Sequence, residues 1–230
     1  MKTIGLIGGL SWESSILYYR LINEEVKARL GGLHSAKSLM FSFDFEEVER
    51  LQHQGRWEDA TQLMIEAARN CEKGGADFLL ICSNTMHKMA AEVQENISIP
   101  LLHIADATAE QIITQGFKKV GLLATGFTME QDFYKGRLTA KYGLEVLVPE
   151  AEERQIVHKI IYEELCQGII KEDSREYYRM AIQNLVKAGA EAIILGCTEI
   201  TLLVGQEDSA VPVFDTTAIH ALAAVKYALK

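Results

Sequence analysis

Short apolar runs recur along the chain and do not alternate with polar residues. Ile4–Ile7, Asp77–Cys82, Leu101–Ile104, Leu144–Val148, Ala192–Leu195 and Pro212–Phe214 have this character. Lys37–Phe43 reads as one more strand. Such runs predict strands buried on both faces, as in a parallel sheet covered by helices. Between them lie longer stretches with helical spacing. These predict helices over Trp12–Leu30, Trp57–Lys73, His87–Asn96, Asp106–Gln115, Glu130–Tyr142, Glu152–Gln167, Ser174–Ala188 and Thr216–Leu229. Asp44–Gly55 reads as a loop with a helical turn. Strand and helix therefore alternate through the chain, which predicts an α/β fold.

The pattern occurs twice. Lys118–Thr125 repeats the character of Lys2–Gly9, placing Gly121 116 residues after Gly5. The run Gly75-Ala76-Asp77-Phe78-Leu79-Leu80-Ile81 likewise matches Gly189-Ala190-Glu191-Ala192-Ile193-Ile194-Leu195 and sets Ser83 against Cys197, 114 residues apart. Two matches at nearly one offset predict an internal duplication. The expected architecture is two similar Rossmann-like lobes with parallel sheets. Residues 1–110 with 211–230 form the first lobe and residues 111–210 the second. Ligands of such sheets bind beyond the carboxyl ends of the strands. The turns after Ile7, Cys82, Ala124 and Leu195 all lie there, so the active site is expected in a cleft between the lobes.

Composition narrows the function classes. A net charge of −9 and the absence of a Lys/Arg block argue against a nucleic-acid partner. No apolar run is long enough to span a bilayer, and the start reads as a strand and turn rather than a leader. The expectation is a cytoplasmic protein with no membrane partner. Cys71, Cys82, Cys166 and Cys197 form no CxxC pair and no zinc spacing, so no metal site is expected.

Candidate chemistry centres on the matched pair. Two proton-transfer groups on opposite faces of a tetrahedral carbon can invert it. A thiolate suits the task, and a helix start such as Thr198 onward lowers a thiol's pKa. Read alone, Cys197 is as well explained as a small residue in a tight turn. Its match to the polar turn Ser83-Asn84-Thr85 favours chemistry. Cys82, the strand neighbour of Ser83, points the other way and belongs to the core. His87 is either a capping histidine or a base or hydrogen-bond partner in the site. Gly8-Gly9 is either a tight turn or an anion cradle at a helix start.

Together, the Ile4-to-Ser11 opening, Ser83-Asn84-Thr85-Met86-His87, Leu123-Ala124-Thr125-Gly126 and Gly196-Cys197-Thr198-Glu199 resemble the cofactor-independent aspartate/glutamate racemase family. The resemblance covers almost the whole chain and is nearest to the broad-specificity bacterial amino acid racemases. It implies a small-molecule amino acid substrate, no pyridoxal phosphate, no metal, a homodimer, and a two-base mechanism with Cys197 and Ser83 as the catalytic pair. It implies that Asn84, Thr85 and Thr198 hold the substrate's α-carboxylate or α-amino group, and Glu199 is counted with them. Leu10, Ser11, Trp12 and Thr125 would line the pocket, and Gln52 and Glu164 would approach the substrate side chain.

The chain departs from the family pattern twice. Ser83 stands where the family has cysteine. The places where aspartate-specific members carry arginine and lysine hold Phe43–Glu47 and Glu163–Cys166, which are not basic. The same scaffold also supports maleate isomerases, hydantoin racemases and malonate decarboxylases, and a clamp that binds an amino acid without turning it over is a third reading.

Overall fold

A computed structural model describes all 230 residues. The chain forms two compact units, residues 1–104 with 220–230 and residues 105–219. No helix is long and apolar enough to cross a membrane.

The first unit holds β1 (Ile4–Gly8), α1 (Trp12–Leu30), β2 (Ser38–Ser42), α2 (Phe45–His53), α3 (Trp57–Lys73), β3 (Phe78–Ile81), a 3-10 helix (Thr85–Met89) and α4 (Ala90–Glu95). Its sheet is parallel, in the order β2-β1-β3. Alternation along the strands sorts two cores. Ile7, Leu79 and Ile81 pack with Met64, Ala67, Ala68 and Cys71 of α3. Ile4, Leu6, Phe78, Leu80 and Cys82 pack on the opposite face with Tyr18, Ile22 and Val26 of α1. The carboxyl-terminal helix joins that second core through Ala221, Ala224, Val225 and Ala228. Each large apolar side chain so buried contributes roughly 1.5–3 kcal/mol, enough to fix which strand face meets which helix layer. Cys82 keeps the alternation and is fully buried.

The second unit runs from α5 (Ile104–Thr114, whose first residue still belongs to the first unit) through β4 (Lys119–Ala124), α6 (Gly126–Glu130) and α7 (Asp132–Tyr142). It continues with β5 (Glu145–Leu147), α8 (Ala151–Glu163), α9 (Glu172–Lys187), β6 (Ala192–Gly196) and β7 (Val213–Asp215). Its parallel sheet has the order β5-β4-β6-β7. Helices α8 and α9 pack on β4, and α7 packs on β5. Helix α10 (Thr216–Ala228) starts in this unit and passes into the first at His220.

The duplication shows in a matched backbone hydrogen bond. The Leu79 N–H donates to the Pro100 carbonyl at 2.9 Å, and the Ile193 N–H donates to the Pro212 carbonyl at 2.9 Å. This corrects the expected lobe boundary. Residues 211–219 stay with the second unit because β7 pairs with β6, just as Leu101 bridges to Leu79 of β3. Only α10 returns, because its apolar face completes the core under α1. The expected fourth strand shrinks to that one bridge at Leu101, and Ile104 already begins α5. Asp44–Gly55 contains a true helix: the Asp44 carboxylate caps α2 by accepting from the Glu46 N–H, and Val48, Leu51 and Gln52 are buried.

Candidate active site

In each unit two turns leave the carboxyl edge of adjacent strands. In the first unit they follow β1 and β3. In the second they follow β4 and β6, where Ala124 and Gly196 are register partners.

The turn after β1 is built by glycine and serine. Gly9 has φ +70°, and a Cβ there would collide with the backbone of Phe43, so only glycine fits. Its N–H donates to Ser15 Oγ at 2.8 Å, so the tight turn consumes that donor internally. Ser11 follows at φ 44°, ψ 143°, a strained conformation for a non-glycine residue. Its carbonyl accepts from the Ser14 and Ser15 hydroxyls. Leu10 and Ser11 are buried, whereas Trp12 is 63% exposed. With Ile16, Tyr19 and Met40, Trp12 borders an open groove of about 510 Å³.

The turn after β3 places Ser83. Cys82 is committed to the core, and burial pushes its thiol far above the usual range. Ser83 is half-buried, and its Oγ accepts from the Met86 N–H at 3.4 Å, at the amino end of the 3-10 helix. Asn84 and Thr85 are buried beside it. Gln52 of α2 reaches the same turn, its amide donating to Met86 Sδ at 2.9 Å. His87 donates from Nδ1 to the Ser83 carbonyl at 2.6 Å and accepts the Ile104 N–H at Nε2, 3.2 Å away. Both ring nitrogens thus face backbone groups.

In the second unit, the Thr125 Oγ1 accepts from the Thr128 N–H and caps α6. The Gly126 N–H donates to His158 Nδ1 at 3.0 Å, and His158 borders a cavity of about 370 Å³ with Phe127, Arg154 and Gln155. Nothing in the sequence motifs singled out His158. The turn after β6 carries Cys197, 7% exposed. Its Sγ donates to Glu199 Oε2 at 3.0 Å, and Thr198 Oγ1 donates to the same oxygen at 2.7 Å. Burial first, and then the Glu199 carboxylate, push the thiol well above the usual range. Cys197 therefore rests as a thiol. The Glu199 carboxylate is turned to Cys197 and Thr198, although the sequence groups it with the substrate contacts. Glu164 accepts from Ser174 Oγ at 2.6 Å and pairs with Lys171 at 3.1 Å; like Cys197 and Glu199 it lies within electrostatic reach of the buried Tyr178, but its carboxylate is engaged locally.

A twice-built parallel α/β chain with a thiol and a hydroxyl at equivalent strand ends has the layout of a racemase scaffold. The chain belongs to the Asp/Glu/hydantoin racemase family, whose sequence pattern matches residues 7–224, and is an isomerase of the racemase type. It is 58% identical to a Yersinia pestis protein described as an Asp/Glu racemase, with both chains covered in full and a TM-score of 0.93. It is 36% identical to an aspartate racemase homologue from Pyrococcus horikoshii OT3, again over both full chains, with a TM-score of 0.84. The broad specificity amino-acid racemase RacX of Bacillus subtilis is 28% identical over 172 residues, 73% of this chain and 72% of the relative.

Proposed function

We propose that this chain racemises a free amino acid without pyridoxal phosphate, moving the Cα proton between Cys197 on one face and Ser83 on the other. The observation that carries the reading is the equivalence of the two positions: each begins the turn after a matched central strand, β3 or β6, in a duplicated fold. The Cys197–Glu199 contact supplies the missing step. A resting thiol cannot abstract a proton, but transfer of its proton to Glu199 Oε2, 3.0 Å away, generates the thiolate. That thiolate takes the Cα proton. N–H groups at the turns stabilise the enolate-like intermediate. Ser83 Oγ–H then delivers a proton to the opposite face. The Glu199 carboxyl gives up its proton to water, and water returns one to the Ser83 alkoxide. Cys197 thus ends as a thiol holding the proton taken from Cα, and Glu199 as the carboxylate it began as. Run in reverse, the reaction asks a serine hydroxyl to act as base, which it does poorly at neutral pH. Racemisation is therefore slow or biased in direction.

Side-chain specificity is proposed to be relaxed or non-acidic, because Phe43–Glu47 and Glu163–Cys166 offer no basic group to a second carboxylate. The similarity to a broad-specificity racemase favours the same reading. The assembly is proposed to be a homodimer, measurable as solution mass by sedimentation. The test of function is incubation with a panel of L- and D-amino acids in deuterium oxide. Solvent deuterium at Cα of one or more amino acids supports the proposal. Tight binding without exchange would make the chain a clamp, and carbon dioxide release from a substituted malonate would make it a decarboxylase.

A further inference from the structure

Three imidazoles are gathered behind the Ser83 turn. The His87 ring lies 4.5 Å from His103, centroid to centroid and tilted by 53°, and 5.8 Å from His220, edge to face. All three are buried, at 2%, 8% and 0% exposure. None of this follows from the proton-transfer chemistry, which names only the serine.

Backbone partners set the tautomers of two of the rings. A carbonyl only accepts, so the 2.6 Å contact with the Ser83 carbonyl requires a proton on His87 Nδ1. The Ile104 N–H donates to Nε2, which therefore carries the lone pair. The two contacts agree independently on the neutral Nδ1–H form. His220 is the converse: Nε2–H donates to the Leu102 carbonyl at 2.9 Å, and Nδ1 accepts from the Tyr18 hydroxyl at 2.8 Å. Burial holds His220 at about 4, so it too is neutral. His87 cannot then take a proton from Ser83 Oγ. Its Nδ1 is already protonated, and its Nε2 lone pair is occupied by a backbone amide.

The two rings grip one short segment. His220 holds the Leu102 carbonyl, and His87 holds the Ile104 N–H. Ile104 is the last residue of the first unit before the chain passes into the second, and His220 is the first residue after it returns. The Ser83 carbonyl is thus tied, through one imidazole, to the point where the chain leaves its unit.

We propose that His87 is a positioning residue, a neutral strut that sets the orientation of Ser83 by holding its carbonyl and anchors that turn to the Leu102–Ile104 crossing. The role rests on the racemase reading, because its consequence is directional. Slackening the Ser83 turn affects the proton transfer that Ser83 performs, while the transfer at Cys197 retains its own partner in Glu199.

The test compares Cα deuterium exchange from each enantiomer of a wild-type substrate in His87→Ala, His87→Asn and His87→Gln. The Ala variant is expected to slow exchange in the Ser83-dependent direction by about 10- to 100-fold, the scale of a misplaced reacting group, with KM and the opposite direction little changed. Asn puts an amide N–H near the place of Nδ1 and is expected to recover most of the loss, and Gln less. An equal fall in both directions, or an Asn variant no better than Ala, overturns the proposal. Should the Ala variant fail to fold, ¹⁵N-histidine spectra of the unaltered protein decide: His87 protonated at Nδ1 supports the strut, and protonation at Nε2 overturns it. The spectra do not depend on turnover, so a wild-type chain that exchanges no amino acid counts against the racemase reading and leaves the tautomer result standing.

Discussion

Cys197 and Ser83 differ in more than acidity. The thiol donates to a buried carboxylate 3.0 Å away, and the hydroxyl accepts a backbone N–H at 3.4 Å. The first arrangement stores a proton beside an acceptor, while the second offers a proton with no carboxylate acceptor beside it. Ser83→Cys is therefore expected to raise kcat in the slower direction by about tenfold or more; because the two enantiomers are equal in free energy, kcat/KM rises by one common factor in both directions. Initial rates from each pure enantiomer check this, and unchanged rates in both directions would remove Ser83 from the chemistry. Glu199→Gln separates two effects of one carboxylate. Losing its charge lets the thiol pKa fall, because that charge raises it, so the rise of kcat/KM with pH that follows thiolate formation moves to lower pH. Losing the proton acceptor lowers the rate of abstraction by Cys197, by about 100-fold. A pH profile that stays in place would show that the carboxylate does not communicate with the thiol.

At the scale of elements, α9 is stapled to the loop before β7 by one buried carboxylate. Asp208 accepts from Arg175 Nε and Nη2, from Arg179 Nε at 2.6 Å, and from the Gly205 N–H at 3.0 Å. Burial opposes its ionisation, but the hydrogen bonds from Arg175, Gly205 and Arg179 outweigh that and hold it at about 2. A depressed folded-state pKa stabilises the fold above the unfolded value, about 3.9, and that contribution is lost as pH falls through about 4 towards 2. It amounts to roughly 2 kcal/mol. Asp208→Asn is expected to lower stability by about that much at neutral pH and to flatten the acid limb between pH 4 and 2, read from urea melts at a series of pH values. The elements themselves were largely legible, because non-alternating runs and a repeat at one offset are strong signals. The place of β7 was legible in principle: Pro212 copies Pro100, so its strand had to stay with its own half. Helix α2 was hidden by a charged stretch whose three buried side chains only the fold reveals. At the site, strand alternation was enough to assign Cys82 to the core. Tyr18, His103 and His220 carry no motif; His220 meets Tyr18 because α1 and α10 share one face of the sheet, and it also touches His87, whereas His103 meets His87 from the segment just before α5. The direction of the Glu199 carboxylate is a rotamer choice that spacing does not encode.

Over the whole molecule, none of the four cysteines forms a disulfide, and three are buried: Cys71, Cys82 and Cys197. Burial raises the pKa of each of those three, and thiolate is the form that alkylating reagents attack. Cys166, half-buried on the 3-10 helix Leu165–Gln167, is the accessible one. Brief iodoacetamide treatment of the native protein is expected to give one adduct, at Cys166, with all four sites modified after unfolding, as peptide mass mapping would show. Electrophile design follows from this. The thiol beside Glu199 is shielded by its own resting protonation, so a chemoproteomic survey ranking cysteines by intrinsic reactivity would pass over the one assigned to chemistry. A covalent inhibitor would have to be carried to Cys197 by reversible affinity for the amino acid site, and loss of activity under a general thiol reagent would first report on Cys166.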